Sequence, residues 1–185
     1  MAPSRAQDVL EFWFAPENRE KWFVKDERFD GEIRDRFSAL QADAAQGALA
    51  DWQQAAQSAL ALVILLDQFP RNMFRGTGHA FASDAKARAV ADAALAQGFD
   101  AAVAREVDPA AAAFFYLPFM HSEELADQDR ALALYTAAQN AEGQRFAEAH
   151  RDIIARFGRF PHRNAALKRE STKPELAFLE THAGF

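Results

Sequence analysis

Apolar residues recur along most of this chain at spacings of three and four, the repeat of a single helix face. The clearest case is Phe29, Ile33, Phe37, Leu40 and Ala44, with Asp26 placed to cap the helix and Gly47 placed to stop it. Before it, Ser4-Arg5-Ala6-Gln7 has the form of a capping box and leads into Val9, Leu10, Phe12 and Trp13, with Pro16 marking the end. After it, Asp51 is expected to cap a third helix running into the unbroken apolar residues 59–66. The Ala- and Gln-rich lead-in and the total length predict a buried helix there rather than a strand. Residue 69 precedes Pro70 and is biased away from helix, so the chain is expected to leave the core at that point.

The remaining pattern continues in the same way. Residues 73–82 read as a loop, and Ser83 or Asp84 is expected to cap a fourth helix ending near Gly98. Asp108-Pro109, a cap followed by proline at the first helical position, opens a fifth helix over the apolar residues 110–117, with Pro118 loosening its last turn. Ser122 or Asp127 starts a sixth, carrying Ala131, Leu132, Leu134 and Tyr135. A seventh runs from about Glu142 to Phe157, with Phe146, Ala149, Ile153, Ile154 and Phe157 on its apolar side and Gly158 at its end. Thr172-Lys173-Pro174-Glu175 is a second capping box, opening a short helix through Phe178 and Leu179. No segment alternates in the manner of a strand, and no composition shift marks a linker. The expectation is an all-α chain of about eight helices forming a single domain over residues 1–185.

Composition narrows the function classes. Half of the 185 residues are hydrophobic, 17 of them Phe, enough to fill a core without disulfides or a metal. The net charge of −6 argues against non-specific binding to nucleic acid or to anionic membranes. There is no cysteine, which removes disulfides, thiolate metal sites and a Cys nucleophile, and suits a reducing compartment. The first residues lack a signal-peptide layout and no apolar run could span a bilayer, so a cytoplasmic location is expected.

Against this acidic background the polar chemistry gathers at three proline-marked helix ends. The first is Asp67-Gln68-Phe69-Pro70-Arg71-Asn72, followed by Arg75. The second is Pro118-Phe119-Met120-His121-Ser122-Glu123-Glu124. The third is Arg156-Phe157-Gly158-Arg159-Phe160-Pro161-His162-Arg163-Asn164, inside a stretch from Ile153 to Arg169 that contains no acid. Arginines grip phosphates and carboxylates bidentately, so Arg156, Arg159 and Arg163 are candidates for an anion site, joined by Asp67, Gln68, Arg71, Asn72, His121, His162 and Asn164. The same arginines could instead neutralise Asp67, Asp129, Glu123 or Glu124 in an ion-pair network, and Asp67 and Arg71, four apart, could pair locally. Arg75 reads as a residue on a solvated loop. An acid–base reading takes His121 or His162 as the proton carrier, with Asp67 or Glu123 orienting it. Histidines 121, 150 and 162 lack a dense metal spacing and lie among arginines, so no metal is expected. Gly-rich phosphate loops and the common hydrolase signatures are also missing, and no cofactor is implied.

These three stretches, in this order, together with Leu10-Glu11-Phe12-Trp13-Phe14, Trp22-Phe23 and Phe81-Ala82-Ser83-Asp84, resemble the motifs of an uncharacterised, mainly bacterial family known as domain of unknown function 924. The resemblance covers nearly the whole chain. It implies an all-helical, tetratricopeptide-like fold and carries no established activity or catalytic residues. The chain departs from the family pattern at Pro174, where an acid is usual, and at Lys168, where a glycine is usual. The expectation is a helical scaffold that binds a small anionic molecule or a carboxylate-bearing peptide, with an enzyme or a purely structural ion-pair core as the alternatives. The sequence leaves the oligomeric state open.

Overall fold

The computed structural model describes residues 5–182. Ser4, expected to cap the first helix, lies outside the described residues. Among the described residues the regular structure is helical throughout, in ten α-helices linked by short 3-10 turns and one π turn, and there is no strand. The chain divides into two compact units. Of the described residues, the first comprises 5–75 and 79–118, the second 76–78 and 119–182.

In the first unit, α1 (Arg5–Trp13) buries Ala6, Val9, Leu10, Phe12 and Trp13. Helix α2 (Glu27–Gln46) begins as expected, with the Asp26 carboxylate accepting the N–H groups of Arg28 and Phe29. It ends on Gly47 at φ +85°, a left-handed conformation that glycine adopts without strain. Around these two helices Phe12, Trp13, Phe14, Trp22, Phe29, Phe37, Phe69 and Phe114 form one aromatic core, with ring centroids 5.0–6.4 Å apart. Offset and edge-to-face contacts of this kind add to the burial of large rings.

The apolar residues 59–66 are all buried and helical, but the helix does not stop at Phe69. Helix α3 (Ala56–Val63) passes through a π turn (Ile64–Gln68) directly into α4 (Phe69–Met73). Phe69 is fully buried at φ −59°, ψ −38°, so the expected exit before Pro70 is corrected. The wider turn explains how a proline is tolerated. The Phe69 N–H reaches five residues back to the Ile64 carbonyl, and Pro70 has no N–H to offer the Leu66 carbonyl four residues earlier. That carbonyl accepts the Ser83 hydroxyl at 2.6 Å instead, while the Asp67 carbonyl accepts Arg71 Nη1 at 2.7 Å. The Leu66 carbonyl, left without a proline N–H, is therefore satisfied by a side chain.

Several starts differ from expectation. Asp51 lies within a 3-10 turn (Ala50–Gln54) and α3 begins after it, at Ala56. Neither Ser83 nor Asp84 caps α5 (Asp84–Ala96), because their side chains are turned to Leu66 and Arg71. An eight-residue helix to which the sequence pattern assigned no element, α6 (Phe99–Glu106), follows Gly98. Asp108 accepts the Ala110 N–H, but residues 109–112 form turns and α7 (Ala113–Met120) starts only at Ala113. Pro118 sits inside that helix, which continues to Met120.

In the second unit, α8 (Leu125–Ala137) packs on α9 (Ala141–Phe157). Its N-cap position is Glu124 rather than Ser122 or Asp127; Ser122 Oγ accepts the Glu124 N–H from outside the helix. The buried face of α9 is Ala147, His150, Ile153 and Ile154, while Phe146 is 45% exposed. The face is set one residue away from the expected Phe146 and Ala149, because His150 is an inward residue that hydropathy patterning counts as polar. Gly158 ends α9 in the left-handed region, and the Thr172–Glu175 capping box opens α10 (Lys173–Leu179) with both of its reciprocal bonds. Lys168 also stands at φ +55°, in the left-handed region that favours glycine.

Gly143, in the first turn of α9, is required for a different reason. A Cβ built there collides with the ring of the buried Tyr135. Gly143→Ala, normally favourable inside a helix, is expected to destabilise the protein by about 1–3 kcal/mol through overpacking. Urea denaturation of the variant checks this, and a midpoint equal to or above the parent's would overturn it.

Candidate functional site

The residues expected at a site fall into two clusters, one within each unit. In the first unit, Asp67 is fully buried on the π turn. Its carboxylate receives the Gln68 side-chain amide and lies 3.2 Å from Arg71 Nη1. Arg71 also grips Asp84 bidentately, at 2.9 and 3.0 Å, and its guanidinium lies over the Phe81 ring. Burial works against the charged guanidinium, but Asp67 and Asp84 outweigh it and raise its pKa. Next to this group, Asn72 and Arg75 share the Asp30 carboxylate, Asn72 at 2.8 Å and Arg75 with two bonds of 2.9 Å. Arg75 is thus held by an ion pair rather than solvated on a loop. All of these side chains are engaged by partners within the chain, which makes this cluster a clasp between α2, α4 and the start of α5. Sequence reasoning missed Asp30 and Asp84. Each was legible only as a surface acid or cap, because its partner lies 13 to 45 residues away.

In the second unit the basic stretch folds back on itself. Arg159 binds Glu175 through two bonds of 2.6 and 2.9 Å and reaches the Glu170 carbonyl at 2.8 Å. The Arg159 bond, with the capping N–H of Thr172, pulls the Glu175 carboxyl down to about 2. Arg169 holds Glu123 bidentately at 2.6 and 2.9 Å and also reaches the Phe160 carbonyl at 3.2 Å. Burial pushes the Glu123 carboxyl up, but the Arg169 bonds and the Phe160 N–H more than offset this and leave it lowered. Asn164, 1% exposed, accepts from Arg169 Nε and donates to Ser171 Oγ, both at 3.0 Å. Arg159, Arg169 and Asn164 therefore act as ties that shape the segment from residue 158 to residue 175.

A different set surrounds the fully buried ring of Phe160. The Arg163 guanidinium, 6% exposed, lies over that ring at 4.4 Å, and its Nη1 donates to the His121 carbonyl at 2.9 Å. The imidazoles of His150 and His162 flank the same ring, with centroids 5.6 and 5.5 Å away. His150, on α9, is buried and its Nδ1 lies 2.7 Å from the Phe146 carbonyl. Because a carbonyl only accepts, Nδ1 carries the proton and Nε2 of the neutral ring is an acceptor. Burial first, and then the charges of His121, Arg163 and His162, lower the His150 pKa to about 3. Burial and Arg163, opposed by Glu123, lower His162 to about 4. His121 is held in place from below: Gln128, fully buried on α8, donates its amide to the carbonyls of Met120 and Ser122 at 2.7 and 2.6 Å. Sequence reasoning did not single out Gln128. Its spacing from Ala131 and Tyr135, three and seven residues, was the available sign that it lies on the buried face.

Arg156 stands apart. Its guanidinium rests on the rings of Phe157 and Phe178 at 4.7 and 5.9 Å, and among the described residues it has no carboxylate partner. It borders a groove of about 460 Å³ with Phe157, Arg159, Thr172, Pro174 and Glu175. A second groove, of about 520 Å³ in the first unit, is lined by none of the expected residues; acids and bases such as Glu11, Lys21, Asp26 and Arg36 line it. Among the described residues no group of three or more His, Asp or Glu side chains is arranged to hold a metal ion, and no helix is long and apolar enough to cross a membrane.

Comparison with known proteins yields one family and one solved relative. Residues 9–183 match the model of a family described as bacterial protein of unknown function, DUF924. The chain is similar to a solved protein of unknown function, ATU0120 from Agrobacterium tumefaciens, with 46% identity and a TM-score of 0.88 over 96% of this chain and 97% of that one. No curated protein matches.

Proposed function

We propose, for a chain that belongs to the bacterial DUF924 family of unknown function, a binding role in which the second unit holds a small anion beside Arg163, His121 and His162. The observation that carries this reading is the gathering of Arg163 and the imidazoles of His150 and His162 around Phe160, with the His121 backbone carbonyl bound to Arg163. In that cluster Arg163 and Arg169 bring two positive charges to the Glu123 carboxylate. A neutral His162 imidazole beside the Arg163 guanidinium offers an N–H donor without further charge repulsion, a combination that a phosphate or carboxylate accepts. The other expected ligand residues, namely Asp67, Gln68, Arg71, Asn72, Arg159 and Asn164, have the supporting role of holding the backbone. A helical scaffold of the tetratricopeptide type, implied by the family resemblance, and a cytoplasmic setting, suited to a chain without cysteine, belong to the same reading.

An enzyme using His121 or His162 with Asp67 or Glu123 is the weaker alternative. Asp67 is engaged by Gln68 and Arg71, Glu123 is engaged by Arg169, and an imidazole near 4 is a poor base at neutral pH.

A thermal-shift panel of sulfate, phosphate, phosphorylated metabolites and small carboxylates tests the proposal. At about one hundred times its Kd a ligand stabilises by about 2.7 kcal/mol, which in a chain of this size raises Tm by roughly 5–10 °C. At least one member is expected to do so, and His162→Gln and Arg163→Met are expected to remove most of the shift. A panel without a shift, or shifts that both folded variants retain, would sink the reading.

A further inference from the structure

The turn that carries His162 has a consequence for how such an anion is held. His162 is half-buried on the 3-10 turn Pro161–Arg163, next to Arg163 and beside the Phe160 ring. The charged and titratable groups around it come from every neighbouring segment. Arg163 lies on its own turn, His121 and Glu123 follow α7, Arg169 lies on the stretch before α10, and His150 faces it from α9. In this setting the cations outnumber the Glu123 carboxylate and oppose a proton on the ring. An anion seated against Arg163 reverses that balance, since an opposite charge within about 4–6 Å favours the protonated imidazole by one to three pKa units.

We propose that anion binding at this site is coupled to proton uptake by His162, so that the site loads in mild acid and releases its ligand toward neutral pH. This rests on the binding role given above and adds its regulation. The sign follows from linkage. The free imidazole is neutral until the pH approaches 4, whereas the liganded one is protonated from a higher pH. Between those two values the complex holds one more proton than the free protein, and affinity rises as the pH falls. A bound-state increase of two units corresponds to a gain on the order of tens of fold between pH 7.5 and pH 4.5.

Sulfate is a suitable probe because its charge is constant over this range. Calorimetric titration with sulfate at pH 5.0 in two buffers of different ionisation enthalpy is expected to show proton uptake of a substantial fraction of one per site. The His162 ring resonances, followed by NMR between pH 7.5 and 4, are expected to titrate at least one unit higher with sulfate than without. His162→Gln is expected to bind sulfate more weakly, without uptake and with an affinity that is flat in pH. Binding with no uptake, or uptake that persists in His162→Gln, overturns the coupling and leaves the binding role intact. No sulfate binding at any pH, with no other panel member bound, removes the binding role itself.

Discussion

Replacing Arg71 with methionine is expected to destabilise the protein by about 3–5 kcal/mol, a large share of the stability of an ordinary domain. The apolar stem is retained by the substitution, so the loss comes from the charge. Asp67 has no solvent exposure, and Asp84 is itself buried. With Arg71 removed, both carboxylates face a low-dielectric interior without the guanidinium that now lies 3.2 Å from one and grips the other with two bonds. Urea denaturation at pH 7 measures the loss. Asp84→Asn combined with Arg71→Met should recover part of it, because one of the stranded charges is gone. A single variant within about 1 kcal/mol of the parent would show that the pair is not the clasp its geometry describes.

Acidification should act on the second unit by another route. An imidazole in the unfolded chain titrates near 6.5, whereas His150 titrates at about 3 and His162 at about 4 in the fold. Both folded values are depressed, so below pH 6.5 the unfolded chain binds more protons than the native one. The stability these groups contribute is complete above about pH 6.5 and is lost as the pH falls toward their folded values. Each unit of pH costs about 1.4 kcal/mol per imidazole, so roughly 4–5 kcal/mol is lost between pH 6.5 and 4.5. Glu123 and Glu175, whose pKa values are lowered, add to the loss only at still lower pH. Denaturant midpoints measured across this range check the slope, and His150→Leu should reduce it by about half. A stability that stays flat from pH 7 to 4.5 would contradict the buried, neutral state of both rings.

Those two clusters also show what could be read from the chain beforehand. Periodicity was enough for α2, with its Asp26 cap and Gly47 stop, and for the Thr172 capping box, because these depend on residues within one turn of each other. It was not enough where a distant partner takes a side chain away from its local role. Ser83 and Asp84 have the chemistry of caps, but they serve the Leu66 carbonyl and Arg71. Pro70 should end a helix by its local preference, but a π turn upstream carries the backbone through it. The same limit applies to the candidate site. The basic stretch was visible as a run of residue types, whereas the division of its members into ties such as Arg159 and Arg169 and a cluster around Phe160 depends on Glu175 and Glu123, whose positions only the fold supplies.

The π turn over Ile64–Gln68 can also be viewed as a record of chain length. Such a turn is what remains when one extra residue is accommodated inside an α-helix without breaking it. The helix from Ala56 to Met73 therefore contains a residue that its backbone could lose, since a one-residue deletion would restore the ordinary hydrogen-bond ladder. Its side chains could not lose it, because the deletion would rotate the flanking halves by roughly 100° relative to each other. Arg71 and Asn72 would then turn away from Asp84 and Asp30. The irregular turn fixes the register between a greasy helix and the polar end it carries, and the number of residues in this segment is as constrained as their identities.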